Sequence, residues 1–135
     1  MNTQIIAETW DALGPDQTEF IEAFYARFFE RFPAYRVLFP HKLDAKHLEK
    51  MVQTMALVAH LSDDRTVVAP HMHKIGAAHK PYDLKQGDLA NFKAVFLETL
   101  EVHLGERWIQ DAAQAWSDAF DHVLIPLMRE GGAGR

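Results

Sequence analysis

Four phenylalanines, Phe20, Phe24, Phe28 and Phe32, recur at intervals of four and are flanked by Ile21, Tyr25 and Phe29. That spacing stacks side chains on one face of an α-helix, so this stretch has to bury an aromatic stripe. Asp16 with Glu19 three residues on reads as a capped start, and Pro33 ends the helix. Ala34 to Pro40 then allows one short helical turn between two prolines, with Phe39 at its exit. An aromatic helix ending in so short an element does not suit an up-and-down four-helix bundle, whose helices are of similar length.

The helical period governs the rest of the chain. Ile5, Ile6, Trp10 and Leu13 mark a first helix that stops at Gly14-Pro15. Leu48, Met51, Val52, Met55, Val58 and Ala59 predict a long helix from about Leu43 to Ser62. Pro70 suits the first turn of a helix running to about His79 and stopped by Pro81. Gln86 to Leu104 reads as another, closed by Gly105, and about Arg107 to Arg129 as the last, with Pro126 kinking its final turns. Nothing alternates with period two for long enough to make a strand. The expectation is an all-α fold of about six to eight helices over residues 1–130, with residues 131–135 a frayed, glycine-rich tail.

The chain has 135 residues, 48% of them hydrophobic, which fits one domain with a sizeable core and no need of a covalent staple. It has no cysteine, which excludes disulfides, thiolate zinc sites, iron–sulfur clusters and cysteine nucleophiles. Any metal must rest on histidine or carboxylate. The net charge of −5, without long runs of one sign, argues against nucleic acid or an anionic membrane as partner. Met1 to Glu8 lacks the basic end and apolar core of a secretory signal, and no apolar run approaches the about 20 residues of a spanning helix. Cytoplasm is the expected compartment.

Eight histidines in so small a chain call for an explanation. His41, His60, His103 and His122 fall in a connection or at polar faces and helix ends, where ordinary surface or packing roles suffice. His71 and His73, two apart, do not share a helix face and make a poor zinc pair. His79 ends its helix, where the backbone dipole favours a histidine. His47 precedes Met51 by one turn and borders the apolar face of the long helix. Two imidazoles, one on each of two helices facing an apolar slot, suit a metal held in a flat macrocycle.

Several segments together resemble a known family. Phe24-Tyr25-Ala26-Arg27-Phe28-Phe29-Glu30-Arg31-Phe32-Pro33-Ala34-Tyr35-Arg36-Val37-Leu38-Phe39-Pro40 looks like the second and third helices of bacterial single-domain globins, which are related to the globin part of flavohaemoglobins. Trp10 resembles their first-helix tryptophan, and His47-Leu48-Glu49-Lys50-Met51 falls where they carry a distal Gln or His, a Lys and an apolar residue over the haem. Ile75-Gly76-Ala77-Ala78-His79-Lys80-Pro81-Tyr82 resembles their proximal Leu-Gly-x-x-His-x-x-Tyr, and Ala115-Trp116-Ser117-Asp118-Ala119-Phe120 their Ala-Trp-x-x-Ala-Tyr. The likeness spans residues 4 to 128 and rests on the order and spacing of the motifs.

The resemblance implies a globin fold around haem iron, with His79 the proximal ligand and Tyr25 and His47 the distal polar pair. His47 is a second candidate iron ligand when no gas is present. Phe39 would stack on the haem, Ile75 and Met51 would wall its two faces, Lys50 would meet a propionate, and Tyr82 belongs to the proximal motif. Tyr25 would donate a hydrogen bond to oxygen. The implied function is reversible binding of oxygen, nitric oxide or CO, with no catalytic residue assigned. Nitric oxide dioxygenase or scavenging activity, which needs an external reductase, is one alternative. A haem-free globin-like interaction or sensor domain is the other. Two departures stand out: Leu89 and Gly131 occupy the places of a Tyr and a Glu that jointly bond the proximal imidazole in the flavohaemoglobin-like globins, and so weaken the case for oxygen-splitting chemistry.

Overall fold

A computed structural model describes residues 1–39 and 43–134, and among these it holds seven α-helices and no strand. They are α1 (Thr3–Ala12), α2 (Gln17–Arg31), α3 (Ala45–Leu61), α4 (Arg65–His79), α5 (Gln86–Leu104), α6 (Gln110–Ala119) and α7 (Ile125–Gly131), with a 3₁₀ stretch, Pro33–Leu38, between α2 and α3. No helix among the described residues is long and apolar enough to cross a membrane. Pro40 and His41, expected at the end of the short turn and in a surface or packing role, lie outside the described residues.

The aromatic stripe is the centre of the core. Phe20, Phe24 and Phe28 are buried on α2, and the Phe20 ring meets Trp10 of α1 at 5.9 Å and Phe96 of α5 at 5.2 Å, both edge to face. Trp116 of α6 closes the circuit, 5.9 Å from Phe96 and 6.4 Å from Trp10. Edge-to-face pairs satisfy the ring quadrupoles as well as removing area from water, so four helices are locked to one another by large side chains. Around this centre α2 packs on α5, α1 on α3 and α6, and α4 on α7.

Three local expectations need correction. Asp16 precedes α2, but its side chain makes no capping hydrogen bond; the Gly14–Asp16 3₁₀ turn leads the chain straight into the helix. Pro70 lies inside α4, because Asp64 starts that helix six residues earlier; the proline then deprives only the Thr66 carbonyl of its partner. The last helix is broken into α6 and α7 by a π-helical turn, Phe120–Leu124. Pro126 has no N–H for the His122 carbonyl, so the regular ladder fails in the turn just before it.

The C-terminal residues are docked as far as Gly134. Gly131 ends α7, Ala133 is 1% exposed, and Gly134 packs against Leu89. Apolar contact with α5 holds the segment that its composition alone marks as frayed.

Candidate functional site

α2 and α3 bring the distal candidates together. Tyr25 flanks the stripe and is 5% exposed; its hydroxyl shares a 3.2 Å hydrogen bond with Nε2 of the half-buried His47. His47 is set in the first turn of α3 by Asp44, whose carboxylate caps the helix by accepting from the His47 backbone N–H at 2.8 Å. Burial pushes the Tyr25 phenol far above its usual range. Burial also lowers His47, against the pull of Asp44 and with help from His79 and Lys50. Both shifts favour neutral forms, so the phenol keeps its proton and the imidazole offers a lone pair.

The half-buried Phe39 completes this cluster, its ring 5.5 Å from that of Tyr25, 6.0 Å from His47 and 5.0 Å from Phe29. Phe29 is the member that sequence reasoning passed over as part of the stripe's flank. It stacks on Tyr25 at 5.8 Å and carries the Arg36 guanidinium at 5.3 Å. Only its offset from the buried stripe hinted at a different face. Asp44 was also missed, although an acidic residue three before His47 at a helix start is a capping signal.

On α4 the proximal candidate has a defined tautomer. His79 Nδ1 lies 2.8 Å from the Ile75 carbonyl oxygen, which only accepts, so Nδ1 carries the proton. In its neutral form the ring then presents a bare lone pair at Nε2. Tyr82 lies beside it, ring centres 6.0 Å apart, and is 47% exposed. Ile75 and Met51 are both half-buried and packed on the core, while Lys50 is exposed.

This donor set discriminates among metals. Zinc takes three or four protein ligands, and among the described residues no group of three or more His, Cys, Asp or Glu could hold a metal ion. One neutral imidazole beside apolar, half-buried walls fits an iron already held in a flat macrocycle. His71 and His73 lie on α4 itself, His71 toward Thr54 at 3.3 Å and His73 toward Glu130 at 3.7 Å. Glu130 also reaches Arg65 at 3.5 Å, and Leu89 is buried. The partner of the His79 imidazole is therefore a neutral carbonyl.

Comparison with known proteins identifies the family. The family model described as Globin matches residues 22–126. An anaerobic nitrite reductase of Arabidopsis thaliana is 25% identical, over 93% of this chain and 89% of its own length. One from Brassica napus is 24% identical over 93% and 87%, and one from Casuarina glauca 22% over 93% and 88%. These relatives are plant proteins, so the comparisons reach the family and not its bacterial single-domain branch.

Proposed function

The chain belongs to the globin family, and from that premise we propose that it binds haem through His79 Nε2 and takes up a diatomic gas: oxygen, nitric oxide or CO. The observation that carries this reading is the His79 Nδ1–H bond to the Ile75 carbonyl, 2.8 Å long, which leaves Nε2 a lone-pair donor. Haem, when bound, supplies an iron centre with a coordination position for a small ligand. We assign Ile75 and Met51 to the two faces of the ring, Phe39 to stacking on it, Tyr82 to the proximal side and Lys50 to a propionate as a point charge. Tyr25 holds a proton at its hydroxyl for a ligand that gains negative character. His47 Nε2 orients that hydroxyl and, on releasing it, is the second nitrogen able to ligate iron when no gas is bound. The motifs alone support a bacterial-type single-domain globin.

The test is a spectrum. The purified chain loaded with hemin gives a strong Soret band, and His79→Ala loses or badly weakens it. An unchanged spectrum in that variant overturns the assignment. A chain that stays folded but takes up no hemin favours a haem-free interaction domain.

The names of the plant relatives support a second reading, reduction of nitrite. Nitrite, one electron and two protons give nitric oxide and water; the electron must come from an external reductase, and the Tyr25–His47 pair holds a proton on the distal side. Nitric oxide dioxygenase activity, joining nitric oxide and oxygen to nitrate with one external electron, draws on the same site. Repeated turnover with nitrite under anaerobic reducing conditions supports the former; turnover only with oxygen and nitric oxide supports the latter.

A further inference from the structure

α4 and α7 meet backbone to backbone at two glycines. A Cβ on Gly76 of α4 would lie 2.2 Å from the Met128 carbonyl oxygen of α7, and one on Gly131 of α7 would lie 2.3 Å from the His73 carbonyl oxygen of α4. The contacts are reciprocal: one turn of each helix, three residues from glycine to carbonyl, lies against one turn of the other. A carbonyl in a helix cannot swing aside as a side-chain tip can, so a methyl at either glycine has to move a helix. Leu127 and Met128 root α7 in the core as Val68 and Met72 root α4, so a methyl at either glycine forces the two helices apart at the crossing.

Gly76 is also the last buried residue of α4. Beyond it Ala77 and Ala78 are exposed and His79 is half-buried, while the carbonyl that holds His79 Nδ1 belongs to Ile75, next to Gly76 in the chain. The imidazole therefore inherits its place from the crossing.

We propose that Gly76 and Gly131 are positioning residues for His79: their backbone-to-backbone contact sets how deeply α4 lies and so fixes where the imidazole nitrogen is presented. The proposal rests on His79 being the haem ligand. It is tested on the full chain with Gly76→Ala and Gly131→Ala, and with Leu127→Ala as a variant that loosens the same helix through its core side chain and leaves both glycines in place. Sucrose in the buffer favours the folded chain throughout. All three variants melt earlier than the parent. In the ferrous haem-loaded chain the iron–imidazole stretching band shifts in both glycine variants and holds its place in Leu127→Ala. In the haem-free chain, ¹⁵N NMR shows faster solvent exchange of the His79 Nδ1 proton in the glycine variants alone. An unmoved band and unmoved exchange in both glycine variants overturn the proposal, as does an equal shift in Leu127→Ala. Failure of the haem reading itself looks different: it appears as a spectrum indifferent to His79→Ala with both glycines in place.

Discussion

Tyr25 of α2 and His47 of α3 meet through a 3.2 Å hydrogen bond across 22 positions of sequence. Burial keeps the phenol protonated and lowers the imidazole, so the bond joins two neutral groups. Tyr25→Phe keeps the ring contacts with Phe29 and Phe39 and removes only the hydroxyl. Its expected effect is a roughly tenfold faster release of oxygen, about 1.4 kcal/mol, with a smaller change for the less polar ligand CO. Stopped-flow ligand replacement measures both. Equal effects on the two gases would mean that the hydroxyl acts through packing.

Thr9 and Trp116 are joined in the same manner at the other end of the core. Thr9 Oγ1 donates to the Ile5 carbonyl and accepts from the Trp116 indole N–H, both at 2.7 Å, and Trp116 is fully buried. Thr9→Val keeps the shape and strands the indole N–H. The expected loss is about 1–3 kcal/mol in denaturant unfolding, the cost of an unsatisfied buried donor. A midpoint equal to that of the parent chain would show that the indole finds another acceptor.

Gly87 presents the opposite case to Gly76 and Gly131. It lies in the first turn of α5, exposed, with open space where a Cβ would be. Gly87→Ala removes backbone freedom from the unfolded chain and meets nothing in the folded one. A gain of up to about 1 kcal/mol is expected, read as a rise in melting temperature. A fall would mean that this turn needs glycine for reasons other than space.

Tyr35 ties the 3₁₀ stretch to α5. Its hydroxyl donates to Asp88 and accepts from Asn91 Nδ2 at 3.0 Å. Burial first, and then the Asp88 carboxylate, raise its pKa above the ordinary 10.0. The folded chain thus holds this proton at a pH where the unfolded chain has lost it. Its contribution to stability is complete below pH 10.0 and is lost as pH rises from there through the raised value. Comparing Tyr35→Phe with the parent by urea unfolding, the difference in stability should be constant up to about pH 9 and shrink above it. A difference independent of pH into the alkaline range would rule out this linkage.

The helices were legible because apolar spacing is a local property of the chain. Gln86 to Leu104 was read with the bounds that α5 has, since polar residues and Gly105 flank an unbroken period. Errors fell where proline or a cap had to be weighed against context. Pro70 looked like a helix start, yet tertiary packing of Val68 and Met72 favours a helix begun at Arg65. Pro126 looked like a kink, and the chain answered with a π-helical turn. The residue types of the candidate site were legible too, through motif order, but not their contacts: the place of Phe29 between Tyr25 and Phe39 depends on how α2 meets the stretch that follows it.

The sequence by itself determined the helical class, the aromatic stripe, the absence of thiol chemistry and the short set of histidines able to hold a metal. All of these follow from residue type and from spacing within one helix. Tertiary structure alone decided that Tyr25 bonds His47 and that two glycines bring α4 onto α7. Both depend on where helices far apart in the chain are laid. Close packing makes those choices collectively, so no single segment carries them.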